Sequence, residues 1–154
     1  MKIERATMND LAELMRVCVA FFNESPFGAL MPRDEAAHKQ AFDKIASLVA
    51  DGIVFVARDD AGVHGAIGGH LVPFWWNEDV QILADAFWYV MPEKRGGTAG
   101  VRLLDEFEKE GVRRGASWAT IQAGLSRSVA PILQRRGYQV QGPVCMKVLP
   151  CLQP

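Results

Sequence analysis

The chain has 154 residues, a length that fits one domain and leaves little room for a second. Apolar residues make up 49% and charged residues 23%, which excludes a disordered chain, a collagen-like fibre and a coiled-coil rod. The 17 basic and 18 acidic residues leave a formal charge of −1. No global field therefore favours nucleic acid or an anionic membrane, although a local basic cleft is compatible with that balance.

Cys18, Cys145 and Cys151 form no Cys-x-x-Cys pair and lie far from any histidine in sequence. A disulfide framework or a structural metal site is not expected. Met1 to Arg5 lacks the apolar run of a signal peptide, and no segment approaches the ~18 apolar residues of a bilayer span. The expectation is a soluble, cytoplasmic single domain.

Lys2 to Arg5 reads as an opening strand. Thr7 and Asp10 then offer a capping box. Met8, Leu11, Met15, Cys18 and Phe22 follow at helical spacing, and Glu24 to Gly28 ends the helix. A second helix is predicted from near Asp34 to Asp51, burying Ala41, Phe42, Ile45, Leu48 and Val49, with Gly52 as its left-handed cap. Ile53 to Ala57 and Val63 to Val72 read as a hairpin about a turn at Asp59 to Gly62. Gly65, Gly68 and Gly69 in its second strand suggest a bulge or a close backbone approach.

Pro73 to Asn77 is predicted to be an aromatic loop, and Gln81 to Val90 a long strand ending at Pro92. A helix follows Gly100, with Leu103, Leu104, Phe107 and Gly111 on one face and Asp105, Glu106, Glu108, Lys109 and Glu110 mostly toward water. Ser117 to Ala123 alternates as another strand. A short helix precedes Gly137, with Ser128 a better cap than Ser126 because Pro131 must fall in its first turn. Gln139 to Leu149 supplies a terminal strand or hairpin. The order β-α-α-β-β-β-α-β-α-β indicates a mixed α/β or α+β domain.

The stretch that carries chemistry is Tyr89-Val90-Met91-Pro92-Glu93-Lys94-Arg95-Gly96-Gly97-Thr98-Ala99-Gly100-Val101. A strand enters a loop with three glycines, and the loop enters a helix. Amides at such a helix start have no intrahelical partners, and the helix dipole adds partial positive charge. Glycines admit an anion closely, and Lys94 and Arg95 can add charge. The pattern fits a phosphate or pyrophosphate cradle. It is not a Walker A loop, because Val101 and Arg102 follow Gly100. Nor does it fit a dinucleotide fingerprint, which belongs in a first βαβ unit. A plain glycine turn with a solvated arginine stays open on these residues alone.

Arg95, Gly96, Gly97, Thr98, Ala99 and Gly100, after a strand ending Val90-Met91-Pro92, resemble motif A of the GNAT N-acetyltransferases, Arg/Gln-x-x-Gly-x-Gly/Ala. Thr98 stands where the family usually has its first glycine. Arg5 to Leu11 is similar to the family's opening strand and helix start. Val54 to Arg58 with Val63 to Gly68 is similar to its central hairpin, and Ile132 to Tyr138 to its motif B ending.

The resemblance implies a GNAT fold over residues 1–149 with a tail at 150–154: a mostly antiparallel sheet, splayed at the cofactor cleft, with helices on both faces. It implies acetyl-CoA as acyl donor, held by the backbone around Trp88, Tyr89 and Val90 and by Arg95 to Gly100. Ser126 stands where the family has an asparagine. A primary amine, on a small molecule, a peptide N-terminus or a lysine, would attack the thioester directly in a ternary complex. No metal is implied.

The motif B tyrosine that often protonates the departing thiolate is replaced by Leu133, and Tyr138 reads as a core aromatic. Base candidates are Asp85, Glu78, Asp79 and His70. Asp85 could accept a proton through water if it points into the cleft, or be an acid at a strand edge or in an ion pair. Glu78 and Asp79 fit the rim of the site, where they would attract a cationic amine. His70 has a suitable pKa range but reads equally as structural. Trp75 and Trp76 could wall the acceptor pocket, as could Phe74 and Trp88, or the two adjacent tryptophans could form a dimer contact. His38 and His64 read as surface residues. The rival to an acetyltransferase is a GNAT-fold acyl-CoA-binding or interaction protein without turnover.

Overall fold

The computed structural model describes residues 1–30, 32–122 and 129–142. Nine regular elements follow in the predicted order. They are β1 (Lys2–Arg5), α1 (Leu11–Glu24), α2 (Glu35–Asp51), β2 (Ile53–Asp59), β3 (Gly62–Phe74), β4 (Asn77–Val90), α3 (Ala99–Arg113), β5 (Ala116–Thr120) and α4 (Ala130–Arg135). Residues 139–142 are not a strand. The rest of the predicted terminal strand lies outside the described residues.

The strands form one sheet in sequential order, antiparallel except for the parallel β4–β5 pair. That exception follows from chain order, since parallel neighbours need a crossover and α3 supplies it. Period-two alternation sorts β2 between two cores. Val54 and Val56 pack with Leu14, Val17, Ile45 and Val49 of α1 and α2. Ile53, Phe55 and Ala57 pack with Leu103, Leu104 and Phe107 of α3 and Leu133 of α4. Helices thus cover both faces of the mixed sheet.

The start of α1 is built as the sequence predicts. The Thr7 amide and hydroxyl both donate to Asp10 Oδ2, at 2.7 and 2.9 Å, through a 3-10 turn at Met8–Asp10. Asp34 caps α2 by accepting from the Ala37 amide at 2.8 Å.

Several local expectations are corrected. Ala41 and Phe42 are exposed, and α2 buries only Ile45 and Val49 fully, because it leans on the sheet by its C-terminal half. Gly52 is extended rather than left-handed. Its glycine is needed for space, since a Cβ there would stand 2.7 Å from the Gly69 carbonyl oxygen. Glu110 is buried rather than solvated, and accepts from Arg113, Arg114 and Arg5, the last at 2.7 Å. These donors, Arg113 first, hold its carboxyl far below the usual range. His64 is also buried, with Nε2 2.7 Å from Asp59 Oδ1. Val129, not Ser128, stands at the cap of α4, and Pro131 falls in its first turn as expected.

The predicted aromatic loop is a two-residue turn. Phe74 pairs with Asn77, leaving only Trp75 and Trp76 between β3 and β4. Pro73 pairs with Gln81, so Glu78, Asp79 and Val80 have no partner on β3.

A second irregularity positions the site. Gly68 pairs with Phe87 and Gly69 with Asp85, leaving Ala86 as a bulge. The extra residue reverses the alternation of β4. Leu83 faces α3, whereas Phe87 and Tyr89 face α1 and α2, and Trp88 and Val90 return to the α3 side. A side chain at Gly69 would lie 2.1 Å from the Ala84 carbonyl oxygen, so this approach requires glycine, as the sequence suggests.

Candidate active site

The strands β4 and β5 are paired only from Gln81 with Ala116 to Ala84 with Thr120. Beyond Ala84 the β5 side of β4 has no strand partner among the described residues. A cleft of about 510 Å³ opens there. It is lined by Asp85, Trp88 and Val90 of β4, by Gly96, Gly97 and Gly100, and by Gln122 and the α4 residues Ile132 and Arg135. Trp88 is fixed by an Nε1–H bond of 3.1 Å to the Gly100 carbonyl.

At the glycine end, a 3-10 turn at Pro92–Lys94 is followed by Gly96 with φ +85°, a left-handed conformation that favours glycine. The first backbone bond of α3 runs from the Arg102 amide to the Thr98 carbonyl. The amides of Gly96 to Val101 take no partner among the described residues. A Cβ at Gly96 or Gly97 would meet nothing within 4 Å, so the space before these amides is open. The N-terminus of the 15-residue α3 adds its dipole to the same point.

The cations of this loop are already engaged. The Arg95 Nε–H donates to the Val90 carbonyl at 2.8 Å, and its NH2 group donates to both carboxylate oxygens of Glu24 at 3.0 and 2.9 Å. Its guanidinium carbon lies 4.9 Å from the Tyr89 ring centre. The Tyr89 hydroxyl donates to the same Glu24 at 2.5 Å. Tyr89 first and Arg95 after it hold the Glu24 carboxyl below its usual range. Burial, then Glu24, pushes the Tyr89 phenol up to about 12. Lys94 pairs with Asp59 at 2.9 Å. Arg135 is the cleft-lining cation with no ion pair among the described residues.

Asp85 sits where the two strands part. Its Oδ1 accepts the Gln122 amide at 2.9 Å, and burial pushes its carboxyl above the ordinary value. A half-buried carboxylate lining a cleft beside free backbone amides can take a proton from a bound amine directly or through water.

Of the residues singled out in the sequence, Asp85, Trp88, Tyr89, Val90, Arg95, Gly96, Gly97 and Gly100 all line this cleft. Ala99 is buried and Thr98 is exposed at the cap, and neither lines the cleft. Ser126 lies outside the described residues. His70 is exposed opposite Ala84 and does not line the cleft. Nor do Trp75, Trp76, Glu78 and Asp79, which occupy the hairpin tip at the far end of β4. Leu133 is buried in the α3-side core. The Tyr138 hydroxyl donates to Glu108 at 2.8 Å, packing beside that core but not in a strand.

Sequence reading missed Glu24, Gln122 and Arg135. Arg135 had a signal in the Arg-Arg-Gly run before Tyr138, but nothing near Glu24 or Gln122 marks either. Among the described residues no cluster of three or more His, Cys, Asp and Glu could hold a metal ion, and no helix is long and apolar enough to cross a membrane.

No family model matches the chain, and no curated protein matches it either. Solved structures do. A GCN5-related N-acetyltransferase from Ralstonia eutropha JMP134 superposes with a TM-score of 0.74 at 18% identity, over 96% of this chain and 97% of that one. A predicted acetyltransferase from Clostridium acetobutylicum, solved with acetyl-CoA, gives 0.72 at 15% identity, over 95% of each chain. A ribosomal-protein-alanine N-acetyltransferase from Brucella melitensis biovar Abortus 2308 gives 0.70 at 13% identity, over 97% of this chain and 99% of that one. The chain has the GNAT fold.

Proposed function

We propose that this chain, built on the GNAT fold, is an N-acetyltransferase that transfers the acetyl group of acetyl-CoA to a primary amine. One observation carries the reading: Gly96, Gly97, Gly100 and Val101, whose amides have no partner among the described residues, line the same cleft as the half-buried carboxylate of Asp85. A pyrophosphate needs several convergent N–H donors and no side chain in the way, and the open space at Gly96 and Gly97 fits that need. Thr98, Ala99 and Gly100 would add amides. The unpaired β5-side edge of β4 around Trp88, Tyr89 and Val90 suits the amide groups of a pantetheine chain. Arg135 would face the donor's phosphates. Ser126 would complete the donor site, in the role that the family resemblance gives it.

The chemistry asked of the protein is modest. A protonated amine cannot attack, so a proton must leave it before or as nitrogen bonds to the thioester carbonyl carbon. Asp85 is our proposed acceptor of that proton. The tetrahedral nitrogen gives its second proton to water as the C–S bond breaks, and the thiolate takes a proton from water, because Leu133 carries no donor and the Tyr138 hydroxyl is occupied by Glu108. Much of the rate would come from holding amine and thioester together in one cleft. His70, Glu78 and Asp79, the other base candidates, do not line the cleft and are not assigned a step.

A second reading is favoured by Leu133: a protein that binds acyl-CoA without turnover. Thermal shift with acetyl-CoA tests the donor, and release of free thiol over a panel of small amines and peptides tests turnover. Stabilisation with thiol release supports the transferase. Stabilisation without release on any amine supports the second reading. No stabilisation overturns both.

A further inference from the structure

The tip of the β3–β4 hairpin is unexplained by the cleft. Trp75 and Trp76 are 79% and 75% exposed, and stack edge to face at 5.0 Å between ring centres. Phe74 bridges Trp75 to the exposed Trp118 of β5, at 6.0 and 5.3 Å. Two-residue hairpin turns favour glycine and asparagine with positive φ. This one holds two tryptophans, and no non-glycine residue described has positive φ. A turn that breaks its local rule to display indoles marks a functional surface. The four residue steps along the strand from Gln81 to Asp85 put about 13 Å between the tip and the cleft.

Charge and area identify the occupant. Glu78 and Asp79, looped out of the β3 register beside the tryptophans, are exposed. The hairpin and β5 contain no lysine or arginine. Indole faces and carboxylates both attract cations, whereas nucleic acid and anionic lipid would be repelled. The three tryptophans expose on the order of 400 Å², about half of what one partner buries in a standard interface. A second copy would moreover set Glu78 and Asp79 against their own symmetry mates.

We propose that this tip is a docking site, separate from the cleft, for a peptide segment that carries lysine or arginine among apolar residues. The indoles cover the apolar stems and cation faces, and Glu78 and Asp79 meet the charged ends.

The test is fluorescence anisotropy of a labelled peptide alternating lysine and leucine, with a glutamate-for-lysine twin, against the full chain. Binding is expected for the lysine peptide only, weakening with salt. Trp75→Ala with Trp76→Ala should weaken it about tenfold or more. The nearly isosteric Glu78→Gln with Asp79→Asn should weaken it several-fold and flatten the salt dependence. Neither pair should change the thermal shift with acetyl-CoA, which separates this proposal from the reading of the cleft. Three results would overturn it: no binding of the lysine peptide, equal binding of both peptides, or indifference to both double variants. So would a tip that instead docks on phosphatidylcholine vesicles, or that holds a sedimenting dimer lost in the tryptophan variant.

Discussion

Glu24, the last residue of α1, grips Arg95 with both carboxylate oxygens, at 3.0 and 2.9 Å. The motif's arginine is therefore a tie between α1 and the glycine loop, with its Nε–H held on the Val90 carbonyl. Glu24→Gln removes the charge and keeps the shape. Arg95 is then free to reach a bound phosphate, so the affinity for acetyl-CoA should become more salt-dependent. The Tyr89 phenol should also fall from about 12 toward its ordinary value of about 10. A spectrophotometric titration in a Tyr138→Phe background reads that shift. An unchanged salt slope would mean that Arg95 stays on Val90 without Glu24.

Asp85 makes opposite pH demands on stability and activity. Burial raises its folded pKa above the unfolded value, so between the two the folded state binds more protons. Its contribution to stability is therefore lost as pH rises through that window. The proton-accepting form appears only above the raised value. The rate should accordingly rise with a midpoint above the usual aspartate value of about 3.9. Asp85→Asn should remove that limb and lower kcat about 100-fold, with acetyl-CoA binding intact by calorimetry. A variant retaining full rate and the same pH limb would remove Asp85 from the mechanism.

Arg135 should matter more to donor binding than Lys94, though Lys94 is nearer the glycine loop. Lys94 is paired with Asp59, while Arg135 has no ion-pair partner among the described residues. Arg135→Gln is expected to weaken acetyl-CoA about tenfold at low salt, and less at high salt. Lys94→Gln should cost under about threefold, since its charge is already compensated. Isothermal titration at two ionic strengths measures both, and equal losses would contradict the pairing argument.

Two glycines separate folding from binding. Gly97→Ala places its Cβ in open space, so the melting temperature should hold while acetyl-CoA binds at least about tenfold more weakly. Gly69→Ala drives a Cβ into the Ala84 carbonyl and to within 2.7 Å of Phe107 Cζ. The obstacle is backbone, and destabilisation of about 3 kcal/mol or more is expected. Thermal unfolding of the two variants side by side checks the contrast.

The order of the described elements, the capping box before α1, the close backbone approach at Gly69 and the glycine-rich loop between a strand and a helix were all readable in the residues. Each depends on neighbours within a turn or two, where periodicity and backbone preference act. Three features were not. The bulge at Ala86 decides which side chains of β4 face the cleft, and only the register with β3 reveals it. Glu24 meets Arg95 across 71 residues of sequence, and no local propensity records such a pairing. The tryptophans predicted near the acceptor stand at the far end of their strand instead, because Phe74 pairs with Asn77 and closes the turn there. By itself the sequence determined that a glycine-rich loop joins a strand to a helix. The tertiary structure decided which of the surrounding charges are free to use it, because free charge is what is left after distant side chains have paired.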